Sequence, residues 1–394
     1  MKILILSQYF WPENFKINEL ALELKKKHYV EVLTGVPNYP SGKIDKKFLK
    51  SKSKYSNYKG IRIHRSWEFL RGNGSKFRLF FNYLSFMISS IFKGLFLKKK
   101  FDLIFIFLPS PVLIGLSGII LSKFLNSKVR IWVLDLWPEV LSDLKIINSK
   151  IILRILDKIV NIIYLNSETI FVQSNSFKKI IKKKIKKKKL YILNSWNDQI
   201  PKRKRKNLIK KNSILYLGNI GYSQNFENLL DAAKILVKKK INFEIKIIGN
   251  GRRFYWLKKQ IQDHKLNKQI KILNFKKSKS LGPHIHSSEF CFLSLKEGKG
   301  LNSTIPAKLQ TYMKYSKPII GVSDGEVKSI ILNARCGFVS KPGDSVSLAK
   351  NIENAFKLNS LKKIRLGKNS LKFSQKNYDK AKILSNFNKV FNKT

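Results

Sequence analysis

Ten short apolar runs recur along this chain, each followed by a polar or glycine-rich turn and then a helix-like stretch. They are Ile3 to Leu6, Val30 to Thr34, Leu103 to Leu108, Arg130 to Leu134, Thr169 to Gln173, Ile214 to Leu217, Phe243 to Ile248, Ile270 to Leu273, Phe290 to Leu295 and Pro318 to Val322. Continuous apolar runs of this length are strands buried on both faces, and strands alternating with helices form parallel sheets covered on both sides. The fold class expected is α/β, doubly wound. At 394 residues the chain exceeds the roughly 250 to 300 at which a single core stops growing. Two Rossmann-like domains are therefore expected, 1–200 and 201–375, facing each other across a cleft. The stretch from Lys178 to Lys211 falls between them, with 16 basic residues and a single acid, Asp198. In such sheets ligands collect beyond the carboxyl ends of the strands, which is where the chemistry should lie.

Charge is the second constraint. Lys and Arg number 79 against 24 Asp and Glu, a formal net charge of +55. A lysine-, isoleucine- and asparagine-rich composition points to an AT-rich genome, but that bias does not make acids rare, so anionic lipid or nucleic acid enters as a partner class. The basic run near the middle lacks interleaved aromatics apart from Tyr191 and Trp196 and shows no nucleic-acid module, so no nucleic acid is expected. Cys291 and Cys336 have neither metal nor framework spacing and read as buried free thiols of a reducing compartment.

The apolar start at Met1 is broken by Gln8, Pro12 and Glu13 and reads as a first strand, not a signal sequence. The uncharged stretch between Asp102 and Lys123 is broken by Pro109 and Pro111 into a buried strand and a buried helix. Phe77 to Leu97 differs. Its polar residues Arg78, Asn82, Ser85, Ser89 and Lys93 form one narrow helical stripe, every other face is apolar, and Lys98 to Lys100 follow. It is either a core helix with one wet edge or an interfacial helix whose basic end meets anionic headgroups. The localisation expected is cytoplasmic, peripheral on the inner face of the plasma membrane.

Several segments could carry chemistry. Gly218-Asn219-Ile220-Gly221 and Gly249-Asn250-Gly251 close two strands of the second half, where glycine permits close approach of a phosphate to backbone amides, although a plain strand-to-helix turn has the same signature. Arg252 and Arg253 suit a diphosphate or are solvated helix-start charges. In the loop ending Ser303-Thr304-Ile305-Pro306-Ala307-Lys308, Ser303 or Thr304 could cap the next helix and Lys308 would lie in its first turn, holding a distal phosphate. Asp135, Glu139 and Asp143 recur at intervals of four, but Pro138 makes Asp135 a loop residue at a strand end, a candidate catalytic base. The five histidines show no HExxH spacing and no Asp-x-Asp pair is present, so no metal and no cofactor are expected. His284 and His286 read as loop surface, and Asp324 as a helix cap.

The opening Gln8-Tyr9-Phe10-Trp11-Pro12-Glu13-Asn14-Phe15-Lys16, the block Val36-Pro37-Asn38-Tyr39-Pro40 and Asp135-Leu136-Trp137-Pro138-Glu139 resemble family 4 glycosyltransferases of the WbuB-type branch. Gly218 to Gly221, Gly249 to Gly251, Ile305-Pro306-Ala307-Lys308 and Lys317-Pro318-Ile319-Ile320 fall in that family's order. The resemblance implies a GT-B fold, a final helix (376–394) packing back on the amino-terminal domain, and a retaining, metal-independent transferase. Its donor would be a nucleotide-sugar, UDP-linked and carrying an N-acetylated deoxyhexose at the family level. Its acceptor would be a saccharide on undecaprenyl diphosphate in O-antigen or capsule synthesis, at an anionic inner-membrane surface. Asp135 and Lys308 then become catalytic. Gly218, Asn219, Gly221, Gly249, Asn250, Gly251, Arg252, Arg253, Ser303, Thr304 and Thr311 become donor-binding; Asn14, Phe15, Lys16, Asn38 and Tyr39 lie on the acceptor side. The sequence departs from the wider family in having Asn219 and Gln224 where an Arg and a Lys are usual, and Ser303 and Thr311 in place of paired glutamates. A nucleotide-sugar 2-epimerase of the same fold, or a basic nucleic-acid-binding protein, are the alternative readings.

Overall fold

The computed structural model describes residues 1–97, 99–197, 208–273 and 281–393. Part of the basic run at mid-chain, including Lys202 to Lys206, lies outside the described residues. The chain divides into two compact units, Met1–Pro138 with Asn148–Leu193 and Leu384–Thr394, and Glu139–Ile147 with Asn194–Ile383.

The first unit holds β1 (Lys2–Ser7), β2 (Tyr29–Thr34), β3 (Asn57–Tyr58), β4 (Ile61–Arg65), β5 (Leu103–Leu108), β6 (Lys128–Val133), β7 (Thr169–Val172) and β8 (Lys189–Ile192). They form one sheet in the order β3-β4-β2-β1-β5-β6-β7-β8. Every pairing is parallel except β3 with β4. The strand order reverses between β1 and β5, so the loops after Ser7 and Leu108 open the crevice in which open α/β sheets bind ligands. Strand β4 escapes a search for continuous apolar runs because it alternates, Ile-Arg-Ile-His-Arg, with its isoleucines buried and Arg62 exposed. From the last helix, Lys380–Lys393, Phe387 packs on Phe105 and Phe171 at ring distances of 6.1 and 5.2 Å. Arg130 Nη1 donates to the Phe391 carbonyl at 2.6 Å.

The second unit holds β9 (Lys210–Leu217), β10 (Glu244–Ile248), β11 (Ile270–Leu273), β12 (Ser288–Ser294), β13 (Ile319–Val322) and β14 (Gly337–Ser340). Its sheet runs β11-β10-β9-β12-β13-β14 and is parallel throughout, with its reversal between β9 and β12. Tyr216, Ile245, Ile247 and Phe292 pack with Phe226, Leu229 and Ala233 in one cluster, and Leu215, Cys291 and Leu293 with Leu309, Tyr312 and Met313 in another. Both cysteines are free thiols within these cores.

Glu139–Asp143 is a helix of five residues, and Asp135 lies in the loop before it, as Pro138 implies. Two local expectations are corrected. His284 and His286 lie in a short helix, Gly282–Ser287, and not in a loop. The larger correction concerns Lys76–Leu95, where the middle of the polar stripe, Asn82 to Ser89, packs inward, Arg78 and Lys93 at its ends are exposed, and Phe77, Phe80, Ile88 and Phe92 point out. Asn82 is fully buried, Ser85 Oγ accepts from the Phe69 amide at 2.8 Å, and Ser89 Oγ donates to the Trp67 carbonyl. The partners waiting beneath the helix are polar, which is why the reading as a core helix with a wet edge fails.

Candidate functional site

At the carboxyl end of β9 the two glycine turns of the second unit lock onto each other. The Ile220 amide donates to the Asn250 carbonyl at 2.8 Å, and the Arg253 amide to the Ile220 carbonyl at 3.0 Å. A Cβ on Gly249 would lie 1.9 Å from the Gly218 carbonyl oxygen, and one on Gly251, at φ +154°, would lie 2.4 Å from the Ile220 oxygen. Glycine is required here so that one turn can approach the other. Most of the amides expected to face a phosphate are engaged internally: Gly218 with Ile248, Gly221 with Gln224 Oε1 at 3.0 Å, Gly249 with Leu273, and Gly251 with Asn250 Oδ1 at 2.8 Å. Asn219 and Asn250 are exposed at the tips.

The cations separate. Arg253 is buried, paired with Glu227 and stacked 3.3 Å over the Trp256 ring, so its guanidinium is committed to the fold. Arg252 is exposed. Lys308, on the helix Ala307–Lys314, reaches back to the Gly218 turn: its Nζ donates to Tyr216 Oη at 2.6 Å and stands 4.0 Å from that ring's centroid. Tyr216 Oη in turn donates to the Asn219 carbonyl at 2.5 Å. Burial, unopposed by any carboxylate, pulls the Lys308 ammonium down to about 7. An ammonium desolvated in this way attracts an anion strongly.

Ser303 and Thr304 do not cap the Lys308 helix. Their hydroxyls donate back to the carbonyls of Lys299 and Gly300 at 2.7 and 2.9 Å, closing the short helix Lys299–Ser303. The residue preceding the Lys308 helix is Pro306, which offers no side-chain acceptor, so the first-turn amides receive no side-chain cap. Thr311 Oγ1 is likewise turned to the Ala307 carbonyl, at 3.0 Å. Asp143 takes the start of the helix Lys299–Ser303, accepting from the amides of Lys299, Gly300 and Leu301 at 3.1, 2.7 and 3.0 Å. Asp324 precedes the helix Gly325–Asn333 without capping it and pairs with Lys328 at 3.3 Å.

In the first unit, Asp135 lies in the loop after β6, and burial alone pushes its carboxyl up to about 7. A carboxyl poised there suits proton transfer near neutrality. The acceptor-side residues divide. Phe15 stacks on Tyr9 at 5.1 Å and meets Tyr39 at 5.3 Å; Arg71 lies 5.2 Å from the Tyr39 ring and donates to Tyr9 Oη at 2.9 Å. Asn14 is exposed beside them, and Lys16 approaches Glu19 at 3.9 Å. Asn38 is instead buried in the wall, its amide donating to Glu13 Oε1 at 2.9 Å and its side chain to Glu68 Oε1 at 2.8 Å.

Nothing in the sequence pattern singles out Glu68. It is buried and accepts from Gln8 Nε2 at 2.7 Å and Asn82 Nδ2 at 2.9 Å as well as from Asn38. Burial outweighs these donors and pushes its carboxyl up to about 8, and burial likewise moves Glu13 to about 7. The one available signal was Asn82 in the polar stripe of its helix. Among the described residues no group of three or more His, Cys, Asp and Glu could hold a metal ion.

The two units, each a doubly wound α/β sheet, of eight and six strands, have the makeup of the GT-B class. The model of the family described as Glycosyl transferases group 1 matches residues 198–373, which fall within the second unit. The chain is similar to the probable glycosyltransferase WbjE of Pseudomonas aeruginosa, 24% identical over 274 residues, 63% of this chain and 65% of that protein. It thus spans just under two thirds of that relative. Among solved structures, sucrose-phosphate synthase from Thermosynechococcus elongatus superposes with a TM-score of 0.75 at 15% identity, over 100% of this chain and 98% of that one. The Anabaena protein HepE in complex with UDP superposes with a TM-score of 0.69 at 14% identity, covering 100% of both chains.

Proposed function

We propose that this protein is a glycosyltransferase that moves a sugar from a nucleotide-sugar to a lipid-linked saccharide acceptor. The observation that carries the reading is Lys308, a desolvated ammonium with no carboxylate beside it, seated on the Gly218 turn at a sheet's carboxyl end. As the bond from the anomeric carbon to the donor phosphate breaks, negative charge grows on the departing nucleoside diphosphate. Lys308 and the uncapped first turn of its helix are donors set in advance for that charge, which lowers the barrier without reorganisation. With Arg253 committed to Glu227, Lys308 carries more of this task than the two glycine turns do.

The base is read as uracil, because HepE is solved with UDP and with UDP-glucose. The transfer is read as retaining and independent of metal, with Asp135 orienting the acceptor hydroxyl and Phe15, Tyr39 and Asn14 lining the acceptor side. Surface-polysaccharide synthesis on an undecaprenyl diphosphate carrier, as in the WbuB-type branch, fits the apolar and basic character of the first unit. The test is a thermal-shift panel of nucleoside diphosphates and their sugars, followed by turnover with Lys308→Ala. Stabilisation by one nucleotide class is expected, with turnover falling about tenfold to a thousandfold in the variant. Full turnover by Lys308→Ala would remove this residue from the mechanism. Conversion of the sugar without any acceptor would replace transfer by epimerisation.

A further inference from the structure

Four helices lie consecutively along the first unit: Lys76–Leu95, Ile114–Leu125, Lys150–Leu165 and Asn175–Lys184. Their contacts make them a continuous layer. Gly94 of the first lies against Leu121 of the second, Gly115 of the second against Ile163 of the third, and Lys184 of the fourth pairs with Asp157 of the third at 2.7 Å. The connections enforce this, since right-handed crossovers from β4 to β5, β5 to β6, β6 to β7 and β7 to β8 all fall on one face of the sheet.

The outer surface of the layer exposes many large apolar side chains among its cations. On the first helix Phe77, Phe80, Ile88 and Phe92 project outward, with Phe77 72% and Phe92 58% exposed and Phe96 just beyond at 75%. The second adds Phe124, and the third adds Ile151, Ile155, Ile162 and Leu165, recurring at helical spacing. Between the first helix and the β4 exit loop runs a groove of about 660 Å³ lined by Trp67, Phe69, Phe81, Leu84, Ile88 and Phe92. An apolar groove beside so many exposed aromatic and aliphatic side chains marks an interaction site.

Charge chooses the partner. The four helices carry twelve lysines and arginines and one acid, Asp157, which Lys184 occupies. No helix among the described residues is long and apolar enough to cross a membrane. An apolar face with a cationic margin lying flat on its domain matches the interfacial zone of an anionic bilayer, where rings and branched chains enter the acyl boundary and ammonium groups meet phosphates. RNA would use the lysines but would leave the isoleucines and phenylalanines in water.

We infer that this four-helix face seats the protein on an anionic phospholipid leaflet, with the groove at Trp67 receiving lipid hydrocarbon. The inference extends the reading of a lipid-linked acceptor, but vesicle binding requires no sugar transfer, so either can fail alone.

The test is flotation of the full chain with phosphatidylcholine vesicles, with and without phosphatidylglycerol, alongside RNA binding. Strong binding to the anionic vesicles, weakened by salt, is expected. Phe77→Ser with Phe92→Ser on the first helix, and separately Ile151→Ser with Ile155→Ser on the third, should each weaken partition by about tenfold or more. These side chains are exposed, so unchanged melting of the free variants checks their folding. Lipids brominated on the acyl chain should quench tryptophan emission, and Trp67→Phe should remove most of that quenching. No vesicle binding by the wild type, unchanged partition of both double variants, quenching unaltered by Trp67→Phe, or binding to RNA alone would each overturn the assignment.

Discussion

Replacing Lys308 by methionine keeps most of the side-chain volume and removes the ammonium. It orphans nothing, because Tyr216 Oη still donates to the Asn219 carbonyl. In the folded chain, burial lowers this lysine from 10.5 to about 7. At about 1.4 kcal/mol per pH unit, keeping the buried ammonium charged costs at most about 5 kcal/mol. The sign follows from proton binding. Between pH 7 and 10.5 the unfolded chain holds a proton that the folded chain has released, so wild-type stability rises with pH across that window. Below pH 7 the penalty is complete. Lys308→Met should therefore melt higher than wild type, by a few degrees at pH 6, with the gap closing toward pH 10. UDP should reverse the order, since its phosphates supply the missing counter-charge. Wild type should gain stability with UDP and take up a proton on binding above pH 7, with affinity falling up to about tenfold per pH unit, while the variant should gain little at any pH. Differential scanning fluorimetry across pH and calorimetry in two buffers of different ionisation heat measure both effects. A lower melting temperature for Lys308→Met at pH 6, or equal stabilisation of both proteins by UDP, would refute the reasoning.

Glu68, raised to about 8 by burial, should make the first unit lose stability as pH rises from about 4.5 to 8, because the folded chain keeps a proton that the unfolded chain gives up. Glu68→Gln should flatten that part of the melting profile, as read by melting across pH. Asp143→Ala leaves three amides of the helix Lys299–Ser303 uncapped; a loss of about 1 to 2 kcal/mol in urea unfolding is expected, with Asp143→Asn losing less. Gly249→Ala places a methyl 1.9 Å from the Gly218 oxygen and should force the two turns apart, seen as a lower melting temperature and weaker UDP stabilisation than in Gly343→Ala, where a Cβ would meet no neighbour but must still adopt φ +85°.

The strands that run apolar on both faces were readable one by one, because double burial leaves an uninterrupted apolar run. Strand β4, alternating, and β8, inside the basic run, needed their sheet to be recognised. The place of Lys308 after Pro306 is visible in the sequence, but its desolvation and its seat on Tyr216 depend on a segment some ninety positions earlier in the chain. The glycines at 249 and 251 mark a turn in the sequence; that they serve the approach of a second turn is decided by the packing of β9 beside β10.

Periodicity along Lys76–Leu95 fixed that the helix has a narrow polar stripe and a broad apolar surface, and nothing in a one-dimensional pattern says which of them faces inward. The direction was set by Glu68, buried beneath Asn82 with Gln8 and Asn38 around it, because a carboxyl taken from water recruits polar partners from whichever element covers it. The composition of this chain thus determined that apolar surface would be abundant and cations plentiful. Only the tertiary arrangement decided that the two would meet on the outside of one layer of helices.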